Sequence, residues 1–184
     1  MKEDAIIERT SAGPVDRTSS GPGGLERALV DRFDAEHRTT MRVLRAFPAS
    51  RGAFRPHERS ATALEIVATL VREQCGVLSV LDGTWSMPPS FPAPPESWSA
   101  AVAAMEAVGP RVTAALERTP ASRLDESVPF FVGPRQVAPM PVRELLWFWL
   151  LDSVHHRGQL SVYLRLAGGR VPAIYGPSAD EPWT

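Results

Sequence analysis

The stretch from Pro141 to Ala167 constrains this chain more than any other. It opens on a proline, carries the apolar run Leu145–Leu151, continues as LLDSVHHRGQLSVYLR and meets Gly168-Gly169. A proline in the first turn is tolerated because its missing N–H has no intrahelical partner there, and glycine readily adopts the left-handed conformation that ends a helix. The segment therefore predicts one long helix. Its first half is apolar on every side, as expected of a helix wholly enclosed by others. The apolar run is far shorter than the roughly 20 residues needed to span a bilayer.

The rest of the chain supplies the neighbours that such a helix requires. Leu29, Phe33, Met41 and Leu44 recur at helical spacing between charged residues, predicting an amphipathic first helix from Leu25 to about Ala46 with His37 in its apolar stripe. Pro48 and Arg55-Pro56 end it. A second helix is expected from an N-cap at Ser60 through Leu64, Ile66, Val67, Leu70, Val71, Val77, Leu78 and Leu81 to Asp82-Gly83. A third is expected from about Glu96 to Arg118, kinked or split at Gly109-Pro110. Residues 119–139 contain at best a short irregular extended segment around Ser127–Pro134. Four helices without alternating strand pairs predict an all-α four-helix bundle.

Prolines explain the joints. Of the 18 in the chain, a dense group lies in Met87–Pro95, MPPSFPAPP, which predicts an extended connector of limited flexibility. Residues 1–24 are rich in turn formers and predict a flexible leader, so residues 25–184 form the single domain, closed by an irregular C-terminal tail.

Charge and cysteine usage narrow the function. The 20 basic residues are interleaved with 21 acidic ones for a net charge of −1, leaving no basic stripe for nucleic acid. One cysteine, Cys75, excludes an internal disulfide and a cysteine-rich zinc knuckle. With no secretory leader and no membrane span, the expectation is a soluble cytoplasmic protein. There is no phosphate-binding glycine loop and no GxSxG elbow. Cys75 lies mid-helix among apolar residues and reads as a small core hydrophobe.

The chemistry concentrates in the last helix. Asp152, His156, Gln159 and Tyr163 fall at i, i+4, i+7 and i+11, on one face and in line with Trp149. A carboxylate four residues before an imidazole supplies two ligands to one divalent metal, with others from facing helices. The candidates for the third are His37, His57, Thr69 and Glu73. The alternative is a hydrogen bond between Asp152 and His156 with no metal. His155 points a quarter turn away from His156 and reads as an interfacial histidine. Arg157 and Arg165 are either solvated, paired with carboxylates, or binders of an anionic substrate at the bundle mouth.

Three segments carry a family resemblance: DSVHHRGQLSVYLRLAGGRVPAIYGPSADEPW (Asp152–Trp183), PHERS (Pro56–Ser60) and EHRTTMRVLRAFP (Glu36–Pro48). Together they resemble the DinB/YfiT-like metalloenzymes. The resemblance implies a four-helix bundle, commonly a homodimer, with zinc or nickel held by three histidines, one on the second helix and two at i and i+4 on the last. Those positions fall on Thr69, Asp152 and His156, so only His156 keeps histidine. Aspartate remains a competent ligand and threonine a poor one, with His37 or Glu73 as substitutes for Thr69. Some members of the family use the metal to activate a low-molecular-weight thiol.

The function expected is a metal-dependent enzyme, a thiol-dependent transferase or hydrolase with an altered ligand set, acting on a small-molecule thiol or an anionic small molecule. The alternative is a non-catalytic, metal-free, stress-associated binding bundle. A further reading makes Val171–Trp183 a dimer element, because Tyr175 and Trp183 need apolar partners either in their own subunit or across a two-fold.

Overall fold

A computed structural model describes residues 24–183. Residues 1–23, which make up nearly all of the expected leader, lie outside the described residues. Four long helices form the body: α1 (Gly24–Ala46), α2 (Ala63–Leu81), α3 (Trp98–Arg118) and, after a short α4 (Ala121–Asp125) and a hairpin β1 (Ser127–Gly133) and β2 (Gln136–Pro141), α5 (Val142–Leu166). Helices α1 and α2 each pack against both α3 and α5, which makes the four-helix bundle.

The apolar stripes meet in one core. Leu29, Phe33, Met41 and Leu44 of α1 are buried with Ile66, Val67, Leu70 and Val77 of α2, Met105, Val108 and Val112 of α3, and Leu145, Leu146, Leu160 and Leu164 of α5. A single Leu or Val in such a core contributes roughly 1.5–3 kcal/mol of apolar burial. Helix α2 begins at Ala63, not after Ser60. Thr62 is its N-cap, accepting from the Glu65 N–H while Glu65 accepts from the Thr62 N–H. This reciprocal pair satisfies two donors and outcompetes Ser60, which lies outside any such T-x-x-E spacing. Helix α3 runs unbroken through Pro110, so the expected split does not occur. At Gly109 the absence of a side chain admits the His37 imidazole, whose Nε2 stands 2.2 Å from where a Cβ would be.

Residues 119–139 are more ordered than expected. Val128 pairs with Met140, Phe130 with Ala138 and Phe131 with Val137 in an antiparallel hairpin, with a bulge between Phe131 and Gly133. Prolines obscure the strand pattern, yet a two-stranded sheet has a free edge on each strand, where a missing N–H breaks no ladder. Val128 and Phe130 face inward, and the Phe130 ring lies 5.5 Å from Trp149 of α5. Trp85 adds a second edge-on contact to Trp149 at 5.5 Å, and its indole donates to the Pro129 carbonyl at 2.8 Å. The hairpin thereby caps one end of the bundle.

One expectation about α5 needs correcting, and the tail has contacts of its own. The helix is not wholly enclosed: Phe148 is 48% exposed and Leu151 63%, because a bundle helix keeps an outer face. The tail folds back on its own chain. Arg42 of α1 bonds the Ala173 carbonyl at 2.8 Å and Glu181 at 2.6 Å, and Arg165 pairs with Asp180 at 2.6 Å. The Tyr175 ring lies under the Arg157 guanidinium at 5.0 Å, and 67% of the residue stays exposed. Trp183 remains 79% exposed.

Candidate metal centre

The polar face of α5 meets a polar break in the buried face of α2. One helical turn separates Asp152 from His156, and both project toward Glu73, which α2 places among Leu70, Val77 and other buried side chains. One ligand atom from each of Glu73, Asp152 and His156 lies within 4.8 Å of the other two. His156 Nε2 is 3.7 Å from Glu73 Oε1 and 3.7 Å from Asp152 Oδ2. His156 Nδ1 is 3.0 Å from Gln159 Oε1. Gln159 thereby orients the imidazole so that Nε2 points at the two carboxylates.

Glu73 is the unusual member. It is 7% exposed, and Ser153 Oγ donates to its Oε2 at 3.1 Å. Burial, followed by the hydrogen bond and charge of the adjacent Asp152, pushes its carboxyl up to about 9, against the opposing effects of Ser153 and Arg72. A carboxyl in that state holds a proton at neutral pH. A buried carboxylate beside a second one is stabilised by a positive charge, either that proton or a cation. One imidazole nitrogen and two carboxylates are a donor set that can hold a divalent cation, and three protein ligands leave a coordination position open.

The surroundings fix the cluster. Trp149, one turn before Asp152 and Ser153, lies against Gly76, one turn after Glu73; a Cβ at Gly76 would stand 3.0 Å from the indole. A Cβ there would require the indole to give by a few tenths of an ångström beside the cluster. On the opposite side a cleft of about 510 Å³, lined by Ile66, Thr69, Arg72, Pro94, His156 and Gln159, opens on His156. The proline-rich connector thus supplies part of the cleft wall.

The remaining candidates lie apart from the cluster. Thr69 is on the cleft wall, one turn before Glu73, with its hydroxyl donating to the Glu65 carbonyl at 3.1 Å and accepting from Arg72 at 2.9 Å. His37 sits between α1 and α3, lining a closed space of about 10 Å³ with Glu36, Thr40, Gln74 and Ser153. Its Nδ1 has no hydrogen-bond partner among the described residues, and burial, then the Arg45 charge, lower its basicity. His57 is in the loop before α2, accepting from the Arg59 N–H at 3.1 Å. His155 is exposed on the outer side, its ring 5.3 Å from that of His156. Burial raises the Cys75 thiol, with Arg111 opposing, which keeps it un-ionised and unreactive.

Comparison with known proteins places this arrangement in a family. The DinB family model matches residues 22–183. The chain belongs to the DinB family. A crystal structure of a DinB-like protein from Bacillus cereus superposes with a TM-score of 0.65 at 21% identity, covering 81% of this chain and 97% of that one. The DinB-like protein YjoA of Bacillus subtilis gives 0.62 at 20% identity, covering 77% and 92%. Both show the bundle as a DinB fold. The uncharacterized protein YrdA of Bacillus subtilis is 45% identical over 51 residues, and the chain spans 28% of its length. Within this DinB chain, Glu73 is the acid that α2 brings to Asp152 and His156. It lies four residues beyond Thr69, where the family pattern implies histidine.

Proposed function

We infer that this DinB-family chain is a metal-dependent enzyme in which Glu73, Asp152 and His156 hold one divalent cation, zinc or nickel. The observation that carries the reading is Glu73: a nearly buried carboxyl facing a second carboxylate and an imidazole, with no cationic side chain among the three. When bound there, a divalent cation supplies the Lewis acidity that favours the deprotonated form of a thiol or water at neutral pH. Gln159 holds the His156 ring, Ser153 holds one Glu73 oxygen, and Trp149 excludes water from the apolar side. The cleft on the other side admits a small molecule to His156. We assign the chain to thiol-dependent transfer or hydrolysis on this basis.

The same reading takes the chain as a cytoplasmic homodimer. No described helix is long and apolar enough to cross a membrane. Phe148, Leu151, Val162 and Leu166 leave apolar side chains exposed along α5, which supports pairing with a second copy.

One observation favours the metal-free binding bundle instead. Each member of the cluster has a protein partner: Ser153 and Asp152 for Glu73, and Gln159 for His156. Elemental analysis of freshly purified protein, with melting temperature before and after chelation, separates the two. The enzyme reading expects about one zinc or nickel per chain and a melting temperature that falls on chelation. No stoichiometric ion, and no response to added zinc or nickel, would leave the metal-free bundle.

A further inference from the structure

Arginines on α2 and α5 differ in what they have left to bind. Arg157 is 1% exposed and spent on Glu36 and Tyr175. Arg165 is paired with Asp180 at 2.6 Å. Neither is free for an anionic substrate. Arg72, in contrast, is exposed on the wall of the cleft that opens on His156. Among the described residues its guanidinium donates to Thr69 Oγ1 at 2.9 Å, and no carboxylate pairs with it. Thr69 is itself oriented, because its hydroxyl proton goes to the Glu65 carbonyl at 3.1 Å, leaving its lone pairs for Arg72. Most of the five donors of the guanidinium therefore remain open, in a plane that suits two carboxylate oxygens.

The other groups in the cleft agree with an anionic occupant. Glu65 is the one carboxylate in the cleft lining, and its Oε2 is held by the Thr62 N–H at 2.7 Å and hydroxyl at 2.9 Å. It is therefore turned to the helix cap rather than to Arg72. Ile66, Ala68 and Pro94 supply apolar walls. At the cluster a divalent cation would cancel the charges of Glu73 and Asp152, so the deep end would not repel an anion.

We propose that Arg72, positioned by Thr69, binds the carboxylate of a small anionic molecule whose other end lies against His156. The position where the family pattern implies a metal-binding histidine serves here to aim a carboxylate-binding arginine. The proposal rests on the preceding reading only for what the far end of the molecule meets.

Two probes with the same thiol end and short stem separate the possibilities: 3-mercaptopropionate, which is anionic, and 2-mercaptoethanol, which is neutral. Each is titrated by NMR chemical-shift changes into zinc-loaded and chelator-treated full-length protein. The wild type should bind mercaptopropionate about tenfold more tightly than mercaptoethanol. Arg72→Gln should bring the two within about twofold and leave mercaptoethanol affinity unchanged. Thr69→Val should give an intermediate preference, because Arg72 is kept but loses its support. No preference in the wild type, a preference surviving Arg72→Gln, or no binding of either probe would overturn the proposal. Failure of the metal reading looks different: zinc does not bind, while the Arg72-dependent preference persists in the chelator-treated protein.

Discussion

Two glutamates, one on α1 and one on α2, sit at nearly the same depth against α5, and they are treated in opposite ways. Glu36, 6% exposed, faces Arg157, itself 1% exposed, and accepts from the Tyr175 hydroxyl at 2.7 Å. Burial raises its carboxyl, but the hydrogen bonds from Arg157 and Tyr175 and the Arg157 and Arg32 charges outweigh this and hold it below its usual range. Glu73, 7% exposed, faces Asp152 and His156, and is pushed up to about 9. Burial is common to both, so it does not set the sign; the neighbours do. Where the chain needs a carboxylate for structure it provides its own cation. At Glu73 it provides a second carboxylate and an imidazole in place of a guanidinium.

The largest expected effect falls on the self-sufficient side. Arg157→Ala strands a buried carboxylate and detaches Tyr175 from α5, so urea unfolding should show a loss of about 3–5 kcal/mol. A loss no greater than that of an ordinary surface substitution would remove the contrast between the two sites. Next is Glu73→Gln, which keeps the shape and an oxygen for Ser153. It should lower zinc affinity by more than the roughly 10–100-fold typical of losing an outer partner, while the metal-free protein is at least as stable as wild type at neutral pH, because unfolding no longer releases the Glu73 proton. Zinc affinity unchanged in this variant would remove Glu73 from the site.

The pH dependence of the two glutamates should have opposite signs. Glu73 has a folded value raised to about 9 from 4.5. Its contribution to the stability of metal-free protein is therefore full below about 4.5 and lost as pH rises toward about 9. Glu36 has a lowered folded value, so its contribution is present above 4.5 and lost as pH falls through that lower value. Glu73→Gln should flatten the alkaline slope of the metal-free protein and leave the acid limb in place, as read from unfolding at a series of pH values. An unchanged alkaline slope in the variant would contradict the Glu73 assignment. The smallest effect concerns His155, exposed beside His156. His155→Ala should change stability by no more than about 0.5 kcal/mol and leave zinc affinity intact; a large loss of zinc would mean that the wrong imidazole has been assigned.

The bundle was legible in the sequence because helical spacing of Leu29, Phe33, Met41 and Leu44, and of the α2 and α5 positions, reports directly which faces are buried. The start of α2 is expected two residues early, at Ser60, although Thr62 and Glu65 carry the spacing of a capping box. The hairpin was not, because Pro129, Pro134 and Pro139 mask an alternation visible only as Val128 and Phe130 turning inward. At the site, Asp152 and His156 announce themselves by an i, i+4 spacing. Glu73 was one of several candidates, because the level at which α2 meets α5 depends on packing such as Trp149 on Gly76, which no local pattern encodes. His37 shared the stripe of α1, yet that stripe carries it to Gly109 of α3.

Calorimetric titration of zinc into chelator-treated protein at pH 7, in two buffers of different ionisation heat, tests the central claim most directly. A site formed by Glu73, Asp152 and His156 predicts one zinc per chain and the release of about one proton, the one Glu73 holds in the metal-free protein. Absence of saturable binding, or binding that persists undiminished in Glu73→Gln, would contradict it.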